Sequence, residues 1–247
     1  MPCCQLHCHQ CSLLYYHIEI VYLIANILFR NKKFKESLEF LKLMESLMNE
    51  NKQKFQSYFL PKHHLLLSLN YNYSQHQDEA IQLLKRAIER KKADLITQLD
   101  TLLSLIVFYY QKGLLNDAKG VFAKFYHTDQ WYIKKAGIIW TIKKSLIEIL
   151  LHIDLGNINL VDSRLKSFKK NYFKHLKEIN QERVITYLKL IETYYKNPEI
   201  VTNKSFKEKV ENAFKWIDND KEDIFMMSFF AWLKAKMNKQ DLYQVTM

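Results

Sequence analysis

Glycine and proline are nearly missing from this chain, with 4 and 3 among 247 residues. Too few turn formers remain for the many hairpins of an all-β protein or the loops of an α/β enzyme, so helices are predicted almost throughout. Cysteine is confined to Cys3, Cys4, Cys8 and Cys11, and the rest of the chain has none, so no disulfide framework holds the body together. Arginine is scarce too: Arg30, Arg86, Arg90, Arg164 and Arg183 are the five among 37 basic residues. The net charge of +11 therefore rests on lysine, which lacks the planar fork that reads phosphate and guanine in bidentate fashion. Charge alone supports non-specific attraction, and nucleic-acid binding is not favoured on this ground. No Walker loop, dinucleotide glycine fingerprint, HExxH or GxSxG elbow occurs, so no enzyme class is indicated and no cofactor is expected.

What is present is a helix-pair pattern recurring about every forty residues, clearest at 68–87 and 105–125. Apolar residues return at three- and four-residue intervals, as Phe34, Leu38, Leu41 and Met44 do, and place one stripe on each helix. The pattern predicts hairpins of helices at 13–30 with 34–48, 61–73 with 78–90, 95–112 with 116–126, 131–153 with 160–174, and 182–196 with 206–217. A single terminal helix at 223–237 follows. Units of this kind bury their apolar faces against their neighbours, which predicts an all-α solenoid of about five antiparallel hairpins plus a terminal helix. Small residues at Ala25, Ser37, Ser68, Ala80 and Ala118 fall where paired helices would cross, and Gly113 and Gly156 where a helix would end in the left-handed conformation.

These positions resemble the tetratricopeptide repeat, whose unit has small residues at its eighth and twentieth positions, an aromatic at the eleventh and glycine near the fifteenth. Ser68, Tyr71, Ala80 and Leu84 match in one unit, and Tyr109, Gly113, Ala118 and Phe122 in the next. Ile106 and Ile149 stand where a small residue is expected, and His152 where an aromatic is. The resemblance covers roughly residues 15–175. It implies a right-handed superhelix with a concave groove that holds a peptide or protein partner. Carried over position by position, that groove presents Tyr22, Asn26, Arg30, Lys62, Asn72, Tyr73, Asp100, Tyr110, Gln111, Lys143 and Asp154, with Glu19 beside them. The carboxylate clamp of chaperone-binding relatives is not reproduced: Asn26 and Lys62 fit its spacing, but Tyr22, Leu66, Asp100 and Ser104 occupy its other polar positions.

The densest set of soft ligands is the N-terminal segment 1–11. Cys3, His7, Cys8 and Cys11 have numbers enough for a metal site, yet the segment lacks the second, distant ligand pair that structural zinc usually takes. It is expected to be a disordered terminus preceding one continuous array at 12–247, with no metal. His63-His64 and His152-x-Asp154 come nearest to a metal or acid–base pair, but His64 and His152 fall on positions that pack between helices and are expected as core or groove histidines. The run 12–29 approaches a membrane span in length but contains His17 and Glu19, so a buried first helix is expected, membrane contact is not, and the chain is placed in the cytoplasm. The lysines around Arg164, Lys166, Lys169, Lys170, Lys174 and Lys177 form the strongest charge cluster, read first as the solvated face of an amphipathic helix. The functional expectation is a non-enzymatic scaffold that binds a peptide or protein in its groove. The alternative is a regulatory protein touching nucleic acid or an anionic membrane through its Lys-rich face, and the apolar terminal helix leaves self-association open.

Overall fold

The computed structural model is all-helical, with thirteen α-helices, one short 3-10 helix and no strand among the described residues. Those residues are 3–50, 55–90, 93–213 and 224–246, with the backbone alone described at 3–12 and 224–228. The chain divides into two compact units, Met1–Phe108 and Tyr109–Met247.

The first unit is built from α1 (Cys3–Arg30), α2 (Phe34–Asn49), α3 (Gln56–Tyr73), α4 (Gln77–Arg90) and most of α5 (Leu95–Gln111). α1 packs on α2, α2 on α3 and α3 on α4. The crossing of α1 and α2 is made at the small residues: Ala25 and Ser37 are both fully buried, and Ser37 Oγ donates to the Ala25 carbonyl at 2.8 Å. Asn70 of α3 continues the chain, its Nδ2 donating to Ser37 Oγ at 3.0 Å and to the Leu66 carbonyl at 2.9 Å. A buried polar pin thus ties three helices. Leu41, Met44, Phe59, Leu66, Ile81 and Leu84 fill the apolar interior around it.

The second unit contains α6 (Leu115–Phe122), α7 (Asp129–Ala136), α8 (Ile138–Asp154), α9 (Ile158–Glu178), α10 (Glu182–Lys196), a 3-10 helix at Pro198–Thr202, α11 (Lys204–Ala213), α12 (Ile224–Asn238) and α13 (Leu242–Thr246). The predicted helix at 131–153 is broken, because Gly137 adopts φ 89° and ψ 160° and both ends α7 and starts α8. Tyr132 stacks on Trp140 across that break with ring centroids 5.5 Å apart. Two further differences concern helix ends. α3 begins at Gln56, not at Pro61, and carries the proline inside its second turn; α13 follows the helix expected to be the last. Trp216 and the acidic patch Asp218, Asp220, Glu222 and Asp223 lie outside the described residues.

One turn recurs in both units. Lys32, Gln75, Gly113 and Gly156 take φ of 59°, 67°, 75° and 69°, at steps of 43, 38 and 43 residues. After each, the next N–H reaches back to a carbonyl five residues earlier: Lys33 to Leu28, His76 to Tyr71 and Leu114 to Tyr109 at 2.9 Å, and Asn157 to His152 at 3.0 Å. This bond closes the preceding helix and aims the chain into the following one. The same capping residues then accept from Ser37, Ala80, Ala118 and Val161, all fully buried. From Lys32 to Gly156 the sequence period is therefore also a period of turn geometry, while Asn180 and Lys239 make the same turn off that period. Ile106 and Ile149, the departures in size, are just as buried.

α1 departs from the expectation of a buried first helix. Leu14, Ile18, Val21, Ala25 and Phe29 are buried, whereas Leu13, Tyr16, Ile20, Leu23 and Ile27 on the opposite face are exposed. Its stretch Leu13–Arg30 is the one helix among the described residues long and apolar enough, by length and composition, to cross a membrane.

Candidate functional site

Seven of the expected groove residues belong to the first unit and four to the second. In the first unit, α1 supplies Tyr22 and Glu19, α3 supplies Lys62 and Tyr58, and α5 supplies Asp100 with Asp94 just before its first residue. Lys62 Nζ is the centre. It donates to the Tyr58 hydroxyl at 3.1 Å, stands 3.9 Å from Glu19 Oε2, and lies 4.4 Å from the Tyr58 ring centre and 5.7 Å from that of Tyr22. The ammonium is thus held by π-faces and one weak ion pair, and it is still partly open to solvent. Glu19 Oε2 is buried and accepts no hydrogen bond.

The electrostatics follow from this crowding. Burial first, then the carboxylates of Asp100, Glu19 and Asp94, push the Tyr22 phenol up to about 12. Burial opposes the charge of Asp94, but hydrogen bonds from Thr97, the Ile96 N–H and the nearby Lys62 hold its carboxyl below the usual range. Thr97 donates its N–H to Asp94 Oδ1 at 3.1 Å and its hydroxyl to Oδ2 at 2.6 Å, so Asp94 caps the start of α5. Asn26 and Asp100 are partly exposed and Arg30 is exposed. Tyr73 is drawn aside into a ring cluster, stacked on Phe34 at 6.2 Å and beside Phe29 at 5.9 Å. Asn72 is fully buried and does not face a groove.

In the second unit Tyr110 and Gln111 are buried as well. Asp154 accepts from the Tyr110 hydroxyl at 2.6 Å and from Trp232 Nε1 at 3.0 Å, both at Oδ2, and pairs through Oδ1 with Lys236 Nζ at 2.7 Å. The arrangement saturates the carboxylate and makes it a packing element. Lys143 is partly exposed. Phe229, Trp232 and Leu233 of α12 are buried while Phe230 is partly exposed, and Tyr187 donates to the Phe229 carbonyl at 2.8 Å.

The histidines pack. His63 is buried with Nε2 3.1 Å from the Leu41 carbonyl, and burial lowers its pKa. Burial, with His63 and Arg90 nearby, lowers His64 to about 4. His152 Nδ1 meets Asn157 Nδ2 at 3.1 Å, while the Asp154 oxygens are engaged by Tyr110, Trp232 and Lys236. Cys3, His7, Cys8 and Cys11 lie on α1, and their side chains are outside the described ones. Among the described residues no group of three or more His, Cys, Asp and Glu is gathered closely enough to hold a metal ion. On α9, Leu165, Phe168 and Tyr172 are buried, Arg164 and Lys169 pair with Glu148 and Glu192 at 2.7 and 2.6 Å, and Lys166, Lys170, Lys174 and Lys177 stay exposed.

Reasoning from sequence did not find Tyr58 or Asp94, since starting the helix at Pro61 left Tyr58 outside it. The four-residue spacing of Tyr58 and Lys62 was the available signal. No protein-family profile, no curated protein and no solved structure matches the chain.

Proposed function

We propose that this chain is a non-enzymatic, tetratricopeptide-like helical-repeat scaffold whose first unit binds a peptide segment of a protein partner at Tyr22, Asn26, Lys62 and Asp100. The observation that carries the reading is the cluster around Lys62: rings, an ammonium with donors to spare and three carboxylates converge from alternate helices. Rings offer contact area at low entropic cost, while the ammonium and carboxylates meet a peptide's carbonyls and N–H groups. The recurrent turn and the buried small residues support the repeat framework. Glu19, Asp94 and Asp100 outnumber Lys62, so within a chain of net charge +11 this site favours a peptide that brings a basic side chain.

A peptide-display library panned against the purified protein tests the reading. Enriched peptides should carry Lys or Arg, bind at moderate salt, and lose about tenfold in affinity with Asp100→Asn or Lys62→Met. An absence of enrichment, or affinities that both substitutions leave unchanged, would overturn it. The exposed lysines of α9 favour a second reading, contact with nucleic acid or another polyanion, which predicts binding that collapses as salt rises and ignores Asp100→Asn.

A further inference from the structure

The outer face of α1 is independent of that site. Leu13, Tyr16, Ile20, Leu23 and Ile27 are 70%, 61%, 54%, 48% and 58% exposed, and together they run about 21 Å along the helix at 1.5 Å per residue. They leave on the order of 600 Å2 of mostly aliphatic surface open, the upper end of the largest patch an ordinary monomer shows. A helix apolar on both faces needs a cover on both, and the inner face already has its own in α2 and α3.

Charge and chemistry select the cover. Glu19 is the only acidic residue of α1, and it lies beside Lys62 and away from this stripe. The stripe ends in two exposed cations, Arg30 in the last turn and Lys33 just after it. A second copy of the chain packed stripe against stripe would bring the same cations to this face, on a body that also carries +11. A folded protein partner would need hydrogen bonds at about one per 100–200 Å2, and among the described side chains the face offers the Tyr16 hydroxyl and the exposed His17 ring. Hydrocarbon needs neither shape nor donors, and anionic headgroups answer Arg30 and Lys33. We propose that α1 docks its outer face on an anionic lipid surface, lying in the interface plane with the five side chains inserted among the upper acyl chains.

Flotation of the full chain with vesicles of phosphatidylcholine alone or mixed 4:1 with phosphatidylserine tests this. The protein should float with the anionic vesicles. Ile20→Ser with Ile27→Ser should cut partitioning at least about tenfold, and Arg30→Gln with Lys33→Gln should cut it several-fold and remove its salt dependence. All substituted positions are exposed, and a thermal melt checks that the fold persists. Failure of the wild type to float, or equal flotation of the serine variant, overturns the proposal. A dimer seen by light scattering that the serine variant dissociates, without flotation, assigns the face to a second copy instead. Peptide binding at the Lys62 cluster should be untouched by the Ile20→Ser, Ile27→Ser pair, so the two readings fail separately.

Discussion

The hydroxyl of Tyr110 donates to Asp154 Oδ2 at 2.6 Å, across 44 residues of sequence, in a site closed by Trp232 and Lys236. Burial and the adjoining carboxylate push the Tyr110 phenol well above its ordinary pKa, so it stays a neutral donor at any physiological pH. Hydrogen bonds to a charged partner contribute about 1.5–3 kcal/mol, and Tyr110→Phe should lower unfolding free energy by that amount. Asp154→Ala strands two buried donors and a lysine and should cost more, about 3–5 kcal/mol. Urea titrations of both variants check the order; equal midpoints would mean the carboxylate is dispensable.

This pair also shows how far the sequence could be read. The crossing at Ala25 and Ser37, the burial of Ala80 and the left-handed turns at Gly113 and Gly156 follow from local spacing. The fate of Tyr110 does not follow, because Trp232, 78 residues beyond Asp154, closes the site. Position within a repeat names the face of a helix but not what a later helix lays upon it. Tyr22 and Lys62 are partly open whereas Asn72 is fully buried. The break at Gly137 was missed because apolar periodicity continues on either side of it, and only the positive φ interrupts the hydrogen bonding.

The recurrent turn makes a prediction of opposite signs. Gln75 holds φ 67°, a conformation costing an ordinary residue roughly 1–2 kcal/mol, whereas Gly113 takes 75° freely. Nothing lies within 4 Å of a Cβ added at Gly113, so backbone conformation alone sets the effect there. Gln75→Gly should raise stability by about 0.5–1 kcal/mol and Gly113→Ala should lower it by about 1 kcal/mol, read as melting temperature. Should both move the same way, the turns are not equivalent.

Overpacking tests the crossings. Ala80 and Ala118 have no exposed surface, so Leu at either position must displace a neighbouring helix. Ala80→Leu and Ala118→Leu should each cost about 1–3 kcal/mol, while Leu at the exposed Lys85 should be near neutral. Unchanged melts for both alanines would remove the close approach of helices that the repeat framework requires.

Acid sensitivity is expected from the packed histidines. His63, His64 and His152 all have folded pKa values below the ordinary 6.5, His64 at about 4, so the folded state resists protonation that the unfolded chain accepts. The stability they contribute is complete above pH 6.5 and is lost as pH falls from 6.5 toward 4. Glu148 acts with the opposite sign, because burial raises its carboxyl and the folded state takes up its proton earlier. Melting temperature should therefore decline from pH 6.5 to 4, and His64→Gln should flatten the slope by up to one proton. A slope identical to wild type would mean that His64 is solvated enough to titrate normally.

Lys144 offers a test of what buried charge does in the second unit. Its ammonium is nearly inaccessible, 3.0 Å from Asp129 Oδ1 and 3.8 Å from Glu148 Oε2, and lies 5.2 Å from the Tyr132 ring centre. Arg164 Nε meets Glu148 Oε1 at 2.7 Å and Tyr172 donates to Asp129 Oδ2 at 2.7 Å, so each carboxylate keeps one partner if the lysine is removed. Lys144→Met should cost about 3 kcal/mol, because Glu148 then remains buried with only the half-exposed Arg164 to offset its charge. Adding Glu148→Leu should recover most of that loss, since an apolar pair of similar volume needs no desolvation and Arg164 can turn to water. Urea unfolding of the single and double variants decides the point: a double variant as unstable as the single one would show that the charge pair itself, and not merely its balance, holds α8 against α7 and α9.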